Sequence, residues 1–279
     1  MIKESKRKGG FTLVELLVVV AVLALLASIV FSNLGGAREG ARISNALQFQ
    51  SNMHSLLGSD LVGWWNFNDP DDRYKDISGG NNNGSCTSCP TPVDGVPGIG
   101  GNSLEFDGVG NYVNYGNPAD LQIAGSLTLS LFMKSYDTIT DGGGLLQKKS
   151  ANSWLGTDYG LVRRNPGVVN FVVSSGSSYG QIGTAISEDV IHHVVGVFDD
   201  NTKTIRLFLD GELVNDGSAS GITPKTNGNL TIGGNWYSDG SNPYFYGLID
   251  DVRIYSRALT ASEVQGLYAQ TKGNYLANE

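Results

Sequence analysis

Leu127-Thr128-Leu129-Ser130-Leu131-Phe132-Met133 places Leu127, Leu129, Leu131 and Met133 at every second position, with Thr128, Ser130 and Phe132 between them. A period of two is that of a β-strand with one buried face. Upstream, Leu61–Phe67 and Ser103–Gly108 read as strands, with Tyr112–Tyr115 as the partner of the second. Downstream, strands are expected at Val168–Val173, His192–Phe198, Leu230–Gly234 and Gly247–Tyr255. Ile205, Leu207 and Leu209 alternate again. Asp210-Gly211 then turns the chain into Glu212-Leu213-Val214, a strong hairpin signal. Thr260-Ala261-Ser262-Glu263 is a capping box and predicts one short helix to about Tyr268. About a dozen short antiparallel strands must bury one face against a second sheet, so a β-sandwich follows.

Composition agrees. The 38 glycines fall largely in clusters with Asn, Asp or Ser, the punctuation of an all-β domain. The net charge of -8 leaves no basic footprint, which argues against a nucleic-acid partner. Asn68–Gly101 reads as a long loop and holds the only cysteines, Cys86 and Cys89. A single C-x-x-C with no second pair is a weak zinc signal, and the basic leader that opens the chain implies export, which makes a small disulfide the expectation over two free thiols.

The first sixty residues have another character. Lys3, Lys6, Arg7 and Lys8 precede Gly9-Gly10-Phe11-Thr12-Leu13-Val14-Glu15, and an apolar run follows to Phe31 with Ser28 its one polar residue. Such a run is long enough to cross most of a bilayer. The small residues stand before the apolar segment, unlike a secretory signal, and a carboxylate sits at its edge, where a charge is costly and has a role. Gly35-Gly36 interrupts the helix. Ile43, Leu47, Met53 and Leu57 then recur at helical spacing.

This segment closely resembles the type IV prepilin family, whose pattern is a basic leader, a Gly, an aromatic residue, T-L-x-E and a long apolar helix. The resemblance implies that residues 1–10 are a leader removed by prepilin peptidase between Gly10 and Phe11, and that the new amino group of Phe11 is methylated. It also implies that Glu15 pairs with a neighbouring subunit's amino terminus during assembly. Residues 11–59 are then the transmembrane and pilin-core helix. The expected location is the cytoplasmic membrane before assembly and the pilus or cell surface after it.

Residues 60–279 resemble the laminin-G-like, concanavalin-A-like lectin family. The matching pieces, in order, are Trp65-Asn66-Phe67 with Asp76-Ile77-Ser78-Gly79, Leu104–Gly108 with Tyr112-Val113, and His192-His193-Val194 with Phe198-Asp199. Leu209-Asp210-Gly211 and Ile249–Leu259 complete the series. The resemblance implies a jelly roll, often with one structural calcium, that binds sugar or protein. Asp76, Asp107 and Asp250, each beside Gly or a strand end, are the candidate calcium ligands. The rival reading makes them turn formers that bond their own backbone. Trp236, Tyr237, Tyr244 and Tyr246, in a Gly, Ser and Asn-rich segment, are candidate sugar-binding rings.

Catalysis is not expected. Glucanases of this fold carry E-x-D-x-E on one strand, and in Glu105-Phe106-Asp107 the third carboxylate is replaced by Val109. His192 and His193 are adjacent on a strand, point to opposite faces and read as structural. The expectation is a pilin-like surface subunit displaying a lectin-like domain for adhesion to a glycan or protein. A pseudopilin of a secretion machine, with the sandwich as an assembly or cargo-contact module, is the alternative. A membrane-anchored glycan-degrading enzyme is a more distant one.

Overall fold

A computed structural model of the chain describes residues 13–24, 58–94, 101–136, 143–150, 154–164, 167–234 and 244–276. The chain divides into two compact units, Met1–Gln48 and Phe49–Glu279.

In the first unit, residues 13–24 form a helix, α1. Its large apolar side chains are exposed all round, from Leu13 and Val14 to Val22 and Leu23, with Glu15 the one charge. A helix that is apolar on every side calls for apolar surroundings. Among the described residues no helix is long and apolar enough to cross a membrane.

The second unit is the predicted sandwich. Its strands are β1 Leu61–Trp65, β2 Thr91–Asp94, β3 Asn102–Asp107, β4 Val113–Gly116, β5 Leu127–Ser135, β6 Gly144–Lys149 and β7 Thr157–Arg163. They continue with β8 Val168–Ser174, β9 Tyr179–Ala185, β10 Ile191–Asp199, β11 Thr204–Leu209, β12 Glu212–Ser218, β13 Asn229–Ile232 and β14 Tyr246–Tyr255. One sheet runs β12-β11-β10-β5-β14-β3-β2, and β1 also pairs with β14. The other runs β4-β13-β6-β7-β8-β9. Every pairing is antiparallel.

The core lies between the sheets. Leu127, Leu129, Leu131 and Met133 of β5 enter it, as their alternation requires, opposite Leu161 of β7 and Phe171 of β8. Gly196 on β10 faces the Phe171 ring, and a Cβ there would lie 2.3 Å from it, so glycine makes the space this aromatic fills. Asp210 and Gly211 both have positive φ, 53° and 84°, which is the turn chemistry expected of the β11–β12 hairpin.

Helix α2, Ala261–Leu276, runs past the Tyr268 end foreseen for it. Val264 and Leu267 cover the outer side of the larger sheet, on Val195, Val197, Phe208 and Tyr255. The capping box is present. Glu263 Oε2 accepts the Thr260 N–H at 2.8 Å, and Thr260 Oγ1 accepts the Glu263 N–H at 3.3 Å. Arg257 binds both Glu263 and Asp60, so the helix start is tied to the chain just before β1.

Residues 68–101, read as loop, hold strand β2, and Asp76 fastens the stretch around it. This buried side chain accepts the Trp64 N–H at 3.0 Å, the Ser78 N–H at 2.8 Å and the Asn82 N–H at 3.0 Å. One carboxylate thus satisfies three backbone donors and binds the loop to β1.

Candidate functional site

At one end of the sandwich β3 stops, β5 stops and β14 begins. Alternation sends Phe245 inward, where it lies 1 % exposed against Phe106, and leaves Tyr246 42 % exposed. The Tyr246 ring meets Tyr136, which follows β5, edge-on with centroids 5.3 Å apart. Lys134 Nζ stands 5.2 Å over the Tyr136 ring and pairs with Asp189 at 3.6 Å. Glu105, directly across β14 from Lys134 in register, hydrogen-bonds the Tyr136 phenol. Partial burial, the Glu105 charge and this bond hold that phenol protonated above its ordinary range. A second pair, Tyr112 and Tyr244, has centroids 6.3 Å apart.

Between these elements runs the turn after β3. Asp107 Oδ1 accepts the N–H groups of Val109, Gly110 and Asn111 at 2.9, 3.1 and 3.3 Å. Burial alone would raise its carboxyl, but these amides outweigh that and lower it. Asn111 accepts the Asp107 N–H in return, and its Nδ2 reaches the Cys89 carbonyl at 3.1 Å. Cys86 and Cys89 form the expected disulfide, and the Ser88 carbonyl inside that small ring accepts the Tyr112 N–H. The bridge therefore buttresses the base of the aromatic end. Half-exposed rings beside carboxylates and amides can stack on sugar C–H faces and bind hydroxyls.

Residues 107–265, more than half of the chain, match the model of the concanavalin A-like lectin/glucanases superfamily. The chain belongs to that superfamily. Residues 5–31 match the prokaryotic N-terminal methylation motif, so a type IV pilin segment precedes the lectin-like domain and points to a membrane-anchored chain that is processed and exported. No curated protein matches the sequence.

Among solved structures, this lectin-like fold is shared with the binding domain of Paraclostridial mosquitocidal protein 1. The two are 16 % identical with a TM-score of 0.61, over 76 % of this chain and 52 % of that one. The ligand-binding domain of botulinum neurotoxin serotype D, solved with N-acetylneuraminic acid, is 13 % identical with a TM-score of 0.61 over 78 % of this chain and 52 % of its own. Domain 4 of an extracellular arabinanase from Geobacillus stearothermophilus, solved with arabinotriose, is 20 % identical with a TM-score of 0.57 over 75 % of this chain and 98 % of its own. The chain spans about half the length of the toxin domains.

Within this superfamily domain the three candidate calcium ligands do not meet. Asp76 is enclosed by its loop, Asp107 caps its own turn, and Asp250 is buried in β14. Burial and the neighbouring Asp251 charge push the Asp250 carboxyl well up. Among the described residues no three His, Cys, Asp or Glu side chains converge where they could hold a metal. Each of the three aspartates bonds donors of its own neighbourhood.

Of the candidate rings, Tyr244 and Tyr246 are at the aromatic end, while Trp236 and Tyr237 lie outside the described residues, as do Gly10 and Phe11. Glu15 lies in α1. The histidines divide as expected. His192 Nδ1 bonds Asp210 at 2.8 Å and its Nε2 accepts the Ser187 N–H, while His193, on the opposite face, bonds Ser130 at 2.9 Å. Sequence reasoning missed Tyr112, Tyr136 and Lys134 as partners of Tyr244 and Tyr246. Their one local signal was position, at the start or end of a strand.

Proposed function

We propose that this chain is a type IV pilin-like subunit whose lectin-like domain captures an extracellular glycan at the Tyr136–Tyr246 end and so serves adhesion. Prepilin peptidase cleaves after Gly10, Phe11 is methylated, and Glu15 guides packing against other pilin subunits. The half-exposed Tyr246 edge-on to Tyr136 carries this reading. The solved relatives bound to N-acetylneuraminic acid and to arabinotriose are consistent with it. Glu105, Asp107 and Asp189 outnumber Lys134 here, which favours a neutral sugar over an acidic one.

Binding is preferred to hydrolysis because Asp107 is committed to its own turn and Glu105 to Tyr136. The test is a glycan array probed with the detergent-solubilised full chain. Binding to neutral glycans is expected, with at least a tenfold loss for Tyr246→Ala and little change in melting temperature, since each 1.4 kcal/mol is a factor of ten. A chain that binds no glycan, or binding indifferent to Tyr246→Ala and Tyr136→Ala, would favour the secretion-machine subunit instead.

A further inference from the structure

Lys148 is wholly buried, on the core side of β6. Its strand neighbours in register are Tyr159 and Leu230, both also wholly buried. Among the described residues its hydrogen-bond partner is a neutral one, Oδ1 of Asn117. An ammonium has three donors, and burying one against a single carboxamide is costly.

The register explains how the two residues meet. Leu230 of β13 pairs with Lys148 on one side and with Gly116 on the other, and Asn117 follows Gly116 where the chain leaves β4. The lysine therefore reaches across β13 to a strand it does not pair with.

We propose that the Lys148 amine and the Asn117 carboxamide are joined as a covalent amide, cross-linking β6 to the end of β4. Nζ of the neutral lysine adds to Cγ of Asn117, and the Cγ–Nδ2 bond breaks. One proton passes from Nζ to Nδ2, which leaves as ammonia. No oxidant or cofactor is needed.

Three observations favour this step. Burial lowers the Lys148 amine to about 8, against the pull of the Asp158 carboxylate, so about a tenth is the uncharged nucleophile at pH 7, far more than for an ordinary lysine. The buried amine is already in hydrogen-bond contact with the half-buried carboxamide, the proximity that makes such a step effectively unimolecular. The competing fate of an asparagine carboxamide, attack by the next backbone N–H, is closed because residue 118 is proline. The product also replaces a buried charge by a neutral amide. In a domain displayed on a surface fibre, such a bond would hold β4 and β6 together under tension.

Peptide mapping of the full chain by mass spectrometry tests this. The expected result is a branched peptide joining the segments with Lys148 and Asn117, lighter than their sum by one ammonia. It should be absent from Lys148→Arg and from Asn117→Ala. Ammonia lost at Asn83-Gly84 or Asn227-Gly228 would leave no branch and would persist in Lys148→Arg. As a second measure, amine acetylation in denaturant should label every lysine except Lys148. Linear peptides of unmodified mass over both residues, with Lys148 fully acetylated, would overturn the proposal.

Discussion

On one face of β10, Val194 and Phe198 enter the space between the sheets, among Leu131, Phe171 and Leu207. On the other face, His193, Val195 and Val197 lie toward α2 with Phe208, Tyr255, Val264 and Leu267. The first interior is mostly hydrocarbon, with the Lys148 amine and the Tyr159 phenol among its few polar groups. The second mixes hydrocarbon with polar partners. The His193 ring stacks between Phe132 and Tyr268, at 4.4 and 5.9 Å, while Thr128 accepts the Leu259 N–H. Nearby, Arg253 lies over the Trp64 ring and pairs with Asp251. Sheet packing needs only volume and alternation. Docking one helix on a sheet's back needs a fixed position, and directional bonds supply it.

The largest effect should come from the hydrocarbon layer. Phe171→Ala removes the ring that Gly196 accommodates and should cost about 3–5 kcal/mol in denaturant unfolding. A loss as small as that for an exposed residue would mean that the inter-sheet layer is not the main interior.

The helix side should answer to acid instead. Burial, helped by the Arg253 charge and opposed by Asp210, lowers His193 from 6.5 to about 3. Between these values the unfolded chain binds a proton that the native state refuses, so stability falls as pH drops from about 6.5 toward 3, by up to ~1.4 kcal/mol per unit. His193→Gln should flatten that part of the stability-versus-pH curve. An unchanged slope would show that the buried ring is not its source.

A smaller effect is expected at the helix start. Thr260→Ala removes one half of the capping box and should cost about 1 kcal/mol, read as a shift in denaturant midpoint. Its partner Glu263 is held down at about 2, chiefly by Arg257. That contribution is present above about 4.5 and fades as pH falls toward 2, a window that overlaps the lower part of the one in which His193 acts and extends beyond it.

The two interiors also differ in how legible they were. The inter-sheet layer was plain in Leu127, Leu129, Leu131 and Met133. β7 and β9 were not, because Gly160, Gly180 and Gly183 break their alternation. The helix-side layer left little trace. Strands such as β5 are buried on both faces, with Thr128, Ser130 and Phe132 as hidden as the leucines between them. A strand covered twice loses the contrast that marks one face as outer. Only the capping box announced the helix. Tyr244 and Tyr246 stood out by composition, but their partners Tyr112 and Tyr136 are more than a hundred residues upstream and meet them only through strand register.

Asp76 carries a consequence for the order in which this part of the chain can take shape. Its side chain faces the amide of Trp64 on β1 and those of Ser78 and Asn82 in the loop. Strand and loop thereby share one fastening, so the loop can close only once β1 is in place, and Asp76→Ala should release both together.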